Sequence, residues 1–202
     1  MHYKKHLSRD KSLKQILHVI DEVKLVNKKT VYEELTASII SQQLSTKVAR
    51  VIHQRFLSLF ENEKINPQAV IDIDFEKLRG VGMSNAKATY VKEVARFAIE
   101  KGIHHKHISK LSDDEIVEYL TQIKGVGRWT VEMMLIFTLG REDVFAVDDL
   151  GIQQAMIHLY KIKTTDKKKL RLKMLKIAET WQPYRTYACL YLWKWYDEKK
   201  KK

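Results

Sequence analysis

A single cysteine, Cys189, in a chain of 202 residues rules out an internal disulfide, a four-cysteine iron–sulfur cluster and a multi-cysteine zinc knot. It stands in the run TYACLYLW, where a small buried thiol is the expected role rather than a nucleophile. Only 2 prolines interrupt the chain. No apolar stretch approaches ~20 residues and the start MHYKKHLSRDKSLKQ has no hydrophobic signal core, so neither membrane insertion nor secretion is expected. No segment alternates apolar and polar residues beyond a few positions, so the usual signature of a half-buried strand is missing as well.

What is present is a core and an excess of positive charge. Hydrophobic residues make up 45% of a chain long enough for a sizeable interior, arranged as one domain or two joined lobes. The 37 Lys and Arg against 25 Asp and Glu leave a net charge of +12. That excess attracts polyanions, nucleic acid first among them, although an ordinary basic surface gives the same number. The cytoplasm of a prokaryote, or a eukaryotic nucleus, suits such a chain.

Apolar residues recur at helical spacing nearly throughout, which predicts an all-helical protein of about ten helices. Over 7–25 the stripe is Leu13, Ile16, Leu17, Val19, Ile20 and Val23, with Ser8 or Asp10 as its cap and the break VNKKT at its end. Residues 30–41 turn Leu35, Ile39 and Ile40 inward; residues 47–60 do so with Val48, Val51, Ile52, Phe56, Leu57 and Leu59. The polar turn SQQLST between them is a corner that can also present side chains to a ligand. After NEKINPQAVIDID, a Gly80-Val81-Gly82 turn precedes a helix capped by Ser84, with Ala88, Val91, Val94, Ala95 and Ala98 inward. No basic residue follows this turn directly, so it reads as helix packing before phosphate contact. Ser112 and Glu115 form a capping box for a helix with Ile116, Leu120 and Ile123 inside. Residues 130–139 are almost wholly apolar and predict a central helix buried on every face. Two helices close the chain, one with Leu170, Met174 and Ile177 inward, the other with Pro183 in its first turn. The lysines at 167–169 read as a solvated face, and those at 199–202 as a frayed tail.

Three groups of residues carry chemistry. Gly125-Val126-Gly127 permits a sharp hairpin. The amides opening the next helix, with Lys124 or Arg128 beside them, suit a phosphate held without sequence reading. An ordinary helix–helix turn would use the same residues. Asp148 and Asp149 open a further helix, where one Asp is normally a cap. Two in a row allow one to cap and the other to face a cleft, as a base or as an anion opposite a developing cation. Trp181, Tyr184, Tyr187, Tyr191, Trp193, Trp195 and Tyr196 exceed what one core helix needs, so some can wall a slot for a flat, electron-poor ring.

IKGVGRWT, VFAVDD and PYRTYACLYLW, in that order and spacing, together with HLSRDKSLKQIL and SIISQQLST, resemble the helix-hairpin-helix DNA glycosylase superfamily in its 3-methyladenine DNA glycosylase II branch. The resemblance covers nearly the whole chain. It implies an all-α, two-lobed fold with a DNA-binding cleft between the lobes, the central lobe over 28–141 and the second made of 1–27 with 142–202. The first matching helix begins within ten residues of Met1, so the separate N-terminal lobe of some bacterial members is expected to be absent.

The activity implied is excision of alkylated purines, 3-methyladenine and 7-methylguanine, from DNA. Trp129 follows GVGR where bifunctional relatives carry the lysine that leads to strand cutting, so the enzyme is expected to be monofunctional. The family's catalytic aspartate falls on Asp149, counted from the D-x-x-I pattern ending at Ile152, with Asp148 as the cap. The resemblance puts the base pocket at Trp129, Met133 and Trp193, with Met133 standing where a close bacterial relative has tyrosine. It puts the DNA backbone contact at Lys124, Gly125, Gly127, Arg128 and Thr130. The wedge that fills the gap left by the extruded nucleotide falls among Gln42, Gln43 and Leu44, the last two foremost. No cofactor is required, although the family holds Na+ or K+ on main-chain carbonyls at the positions of Thr121, Ile123 and Val126. The expected partners are duplex DNA containing a damaged base and the enzymes that process abasic sites, with the protein a monomer away from membranes. A glycosylase for an oxidised or deaminated base, a noncatalytic helix-hairpin-helix module and a helical scaffold are the competing readings.

Overall fold

Polar residues able to accept the first unbonded amides of a helix set most of the helix starts. The computed structural model describes residues 2–28 and 30–200. After α1 (His2–Leu7), Asp10 caps α2 (Lys11–Val19) by accepting from the amides of Ser12 at 2.9 Å and Leu13 at 3.0 Å. Then come α3 (Val31–Ser41) and α4 (Thr46–Leu57), the latter capped by Ser45. Asn66 caps α5 (Pro67–Asp72), whose first residue is a proline, and Asp74 caps α6 (Phe75–Gly80). Ser84 starts the long α7 (Asn85–Glu100), followed by the single turn α8 (His105–Ile108). The expected capping box of Ser112 and Glu115 opens α9 (Asp113–Leu120). The Ser112 bonds hold the Glu115 carboxyl below the usual carboxylate range. Then follow α10 (Arg128–Phe137), α11 (Leu150–Tyr160), α12 (Lys167–Glu179) and α13 (Arg185–Lys200).

Among the described residues there are thirteen α-helices, one short 3-10 turn and no strand, so the all-α class holds. No helix among them is long and apolar enough to cross a membrane. The extra helices are short ones near the N-terminus and in the expected loops. Asn66-Pro67 is the signal for one of them, a cap followed by a proline whose missing amide costs nothing at the first helical position.

The first stripe stops early. Helix α2 ends at Val19, Ile20 turns extended while remaining buried, and the carbonyl of Val23 accepts from the Tyr3 hydroxyl instead of continuing a helical ladder. Lys29, within the expected break, lies outside the described residues, as do Lys201 and Lys202 of the expected tail. Val48 and Val51 are exposed on α4, and its inward face is narrowed to Ile52 and Phe56. Pro183 stands before α13 rather than in its first turn, and the Gln182-Pro183 peptide is cis.

The chain divides into two compact units, 28–134 and 1–27 with 135–202. The second takes the residues 135–141 because Gly140, at φ +62°, lies against the Val26 carbonyl, where a Cβ would come within 2.8 Å. In the first unit α7 is the central element, turning Ala88, Val91, Val94 and Ala95 inward against Leu35 and Ile39 of α3 and Val70 of α5. In the second, Leu13, Ile16, Met156, Met174, Trp181, Cys189, Tyr191 and Leu192 form the core. Cys189 is buried there as expected, its Sγ 3.8 Å from the Val144 carbonyl.

Candidate active site

The cap of α11 falls on the second of the paired aspartates, not on the first as expected. Asp149, not Asp148, caps α11: its Oδ1 accepts from the amide of Ile152 at 2.9 Å. An N-cap side chain reaches the third helical amide, and α11 begins at Leu150, so only the residue at 149 has that register. Asp148 is exposed and pairs with Arg171, at 3.1 and 3.4 Å. The Oδ1 of Asp149 also accepts from the indole Nε1 of Trp193 on α13, at 2.8 Å. One carboxylate oxygen is thus fixed twice, by a main-chain amide and by a rigid ring.

Gly151 makes that arrangement fit. A Cβ there would stand 3.0 Å from Asp149 Oδ1 and 3.0 Å from Cδ1 of Trp193. Trp193 is half-buried, and its ring lies beside that of the exposed Phe137, with centroids 5.5 Å apart. Phe137 was not anticipated. It extends Trp129 and Met133 at four-residue spacing along α10, so that helix is not buried on every face: Trp129 is 42% and Phe137 46% exposed. The signal was the spacing itself, masked by the apolar character of the whole segment.

The strap before Asp149 is anchored by the first turn of α13. Arg185 forks onto Asp143, Nε to Oδ1 at 2.7 Å and Nη2 to Oδ2 at 2.9 Å. The buried Thr186 hydroxyl accepts from the Val144 amide at 2.9 Å. Tyr187 donates to Glu142 at 2.8 Å, and burial with that carboxylate pushes its hydroxyl up to about 12. Further along, Gln153 donates to the Val147 carbonyl at 3.0 Å. RTYA and VFAVDD therefore belong together because one holds the other and so sets the height of Asp149. Most of the aromatic run is interior: Trp181 and Tyr191 are fully buried, and Tyr187 stacks on Tyr3 at 4.0 Å.

In the other unit, the hairpin after α9 closes with the Val126 amide donating to the Ile123 carbonyl at 3.0 Å. Gly125 adopts φ +94°, and a Cβ there would collide with the Tyr90 ring at 2.3 Å, so this position requires glycine twice over. Gly127 has open space around it. Lys124 and Arg128 are exposed; Arg128 Nε donates to the buried Glu132 at 2.9 Å, which lays the guanidinium along α10. Thr130, in the first turn of α10, is only 3% exposed.

The turn after α3 is tied to that hairpin. Gln42 Nε2 donates to the Gly125 carbonyl at 3.1 Å. Lys87 of α7 donates to the Ile40 carbonyl at 2.7 Å, and burial pulls its ammonium below the ordinary lysine value. Gln43 is exposed, in the left-handed region at φ 57°, with Leu44 half-buried beside it. Gln42 is thus a tether, and the exposed tip of the turn is Gln43. The earlier Gly80-Val81-Gly82 turn packs against Ile52, in keeping with its expected structural role.

Comparison with known proteins converges on one description. Residues 36–180 match the HhH-GPD superfamily of base excision DNA repair proteins. The chain is 40% identical over 195 residues to DNA-3-methyladenine glycosylase 1 of Schizosaccharomyces pombe, covering 94% of this chain and 84% of that one. The solved structure of the S. pombe 3-methyladenine DNA glycosylase in complex with abasic DNA superposes with a TM-score of 0.84 at 37% identity, over 96% of each chain. A DNA-3-methyladenine glycosidase from Bacillus halodurans superposes at 0.85 and 34% identity, over 98% of this chain and 90% of that one.

Proposed function

We propose, starting from the fact that this chain belongs to the HhH-GPD superfamily of base excision DNA repair proteins, that it is a monofunctional DNA glycosylase releasing alkylated purines such as 3-methyladenine and 7-methylguanine from duplex DNA. The observation that carries this reading is Asp149, a carboxylate held by a helix amide and the Trp193 indole at the mouth of α11.

Alkylation on a purine ring nitrogen makes the base cationic, so it leaves with the electron pair of the N-glycosidic bond and becomes neutral. Positive charge then gathers on the sugar at C1′, where a fixed carboxylate stabilises it most, because no reorganisation is needed at the moment of reaction. Water adds at C1′ and loses its proton, leaving an abasic site. Trp129 occupies the position where a lysine nucleophile would attack the sugar, so strand cutting is not part of the reaction. Trp193 and Phe137, with Trp129 and Met133 along α10, offer flat and polarisable surface to the extruded base.

The hairpin amides with Lys124, Gly125, Gly127 and Arg128 hold the DNA backbone, and Gln43, with Leu44 behind it, enters the gap left by the flipped nucleotide, offsetting a few kcal/mol of lost stacking. The hairpin carbonyls fit an alkali cation: Thr121 closes α9, past its last intrahelical bonds, and the Ile123 carbonyl keeps one lone pair beside the Val126 amide. Thr121, Ile123 and Val126 would hold Na+ or K+ there, which would strengthen the positive face toward a phosphate. The protein acts as a monomer wherever genomic DNA lies, the cytoplasm of a prokaryote or a nucleus, and passes abasic sites to downstream repair enzymes.

Duplexes carrying one defined lesion test the reading. Expected is release of 3-methyladenine and 7-methylguanine, with strand breakage only after alkali. Release confined to 8-oxoguanine or another neutral base, or nicking without alkali, would contradict it.

A further inference from the structure

A second basic feature, in the same unit as Asp149, stands apart from that carboxylate. A cavity of about 690 Å³ opens where α11 and α12 end, lined by Tyr160, Ile177 and Asp10 and ringed by Lys161, Lys163, Lys173 and Lys176. Asp149 opens the same α11 that Lys161 closes, so an 11-residue helix, roughly 16 Å long, separates the two places. All four lysines are exposed, and among the described residues none of them forms an ion pair or a side-chain hydrogen bond.

The charges around the cavity do not cancel. The Asp10 carboxylate contributes one negative charge, already committed to the amides of Ser12 and Leu13, the Tyr160 hydroxyl at 2.7 Å and the Trp181 indole at 3.1 Å. The two helix C-termini, at Lys161 and Thr180, contribute about half a unit each. Against four ammonium groups, roughly two positive charges remain uncompensated. Complementing the helix ends therefore explains part of the cluster and leaves the rest without a partner.

We propose that this cavity binds the phosphates of a nucleotide, with the nucleoside body against Tyr160 and Ile177. Four ammonium groups at one cavity act as compact point charges, which suits a compact, multiply charged anion such as phosphate. The volume lies in the range of a ligand site of nucleotide size. Such a phosphate can belong to a free nucleoside diphosphate or to the end of a single strand.

Titration calorimetry of the full chain with ADP, AMP, pyrophosphate, a 5′-phosphorylated single-stranded oligonucleotide and a glutamate-rich peptide tests this. ADP should bind more tightly than AMP or pyrophosphate, and Lys173→Gln with Lys176→Gln should weaken it by about tenfold or more, with base release unchanged. Lysine-dependent binding of the oligonucleotide as tight as ADP would assign the site to a strand end; binding of ADP alone would assign it to the free nucleotide. Lys161→Gln with Lys163→Gln gives an independent pair from the loop should the first pair fail to fold. Affinity for ADP unchanged in both pairs, or matched by the peptide, would overturn the proposal.

Discussion

The indole N–H of Trp193 donates to Asp149 Oδ1 at 2.8 Å, the same oxygen that caps α11 through the Ile152 amide. A hydrogen bond to a charged group contributes about 1.5–3 kcal/mol, so Trp193 acts on the carboxylate as well as offering a ring face. Trp193→Phe keeps an aromatic face and removes the donor. Single-turnover base release should fall about tenfold to a hundredfold, by a similar factor for a cationic lesion and for a neutral one such as hypoxanthine. A loss confined to cationic bases would show that stacking, worth up to about 2 kcal/mol when desolvated, is the larger role.

Gly151 offers a test in which two effects oppose. Within a helix, glycine to alanine normally gains about 0.5–1 kcal/mol. Here the new Cβ would stand 3.0 Å from both Asp149 Oδ1 and Trp193 Cδ1, so one of them must move. Gly151→Ala should lower the release rate while leaving DNA affinity in place, as read by single-turnover kinetics beside fluorescence anisotropy. Unchanged kinetics would mean that the Asp149–Trp193 geometry is not what sets the rate.

Asp148 should matter little. Its pair with Arg171 is solvent-exposed on both sides, and such pairs contribute at most about 1 kcal/mol. Asp148→Asn should keep near-normal release and a nearly unchanged melting temperature, measured by circular dichroism. A loss as deep as that from changing Asp149 would reverse the assignment of the two residues.

Gln42 links the expected wedge turn to the hairpin through the Gly125 carbonyl. Gln42→Ala should reduce extrusion, followed with a fluorescent base analogue opposite the lesion strand, by more than it reduces binding to undamaged duplex. An equal reduction in both would mean that the tether serves only the grip.

Much of this was legible in the sequence because capping is local: Ser84, Ser112 with Glu115, and Asp10 each start a helix within three residues of themselves. The hairpin was legible for the same reason, since Gly125 is the only kind of residue its backbone admits. Adjacent aspartates were not, because Asp148 and Asp149 each satisfy the cap pattern and a one-residue shift in the helix start decides between them. The Arg185–Asp143 fork spans 42 residues and leaves no periodic trace. Val48 and Val51 satisfied helical spacing yet face outward, since spacing identifies a face without saying what covers it. Phe137 was hidden by the opposite circumstance, an apolar segment in which exposed and buried positions look alike.

In the proposed mechanism the charge of Asp149 drives base release. Asn at this position still offers an oxygen to the Ile152 amide and to Trp193, and asparagine caps as well as aspartate, so the fold should survive the change. The measurement is single-turnover release of 7-methylguanine by Asp149→Asn, with its affinity for lesion duplex determined in the same buffer. Release should fall by about a hundredfold to a thousandfold with affinity nearly unchanged. A folded variant that releases the base at close to the original rate would contradict this role for Asp149.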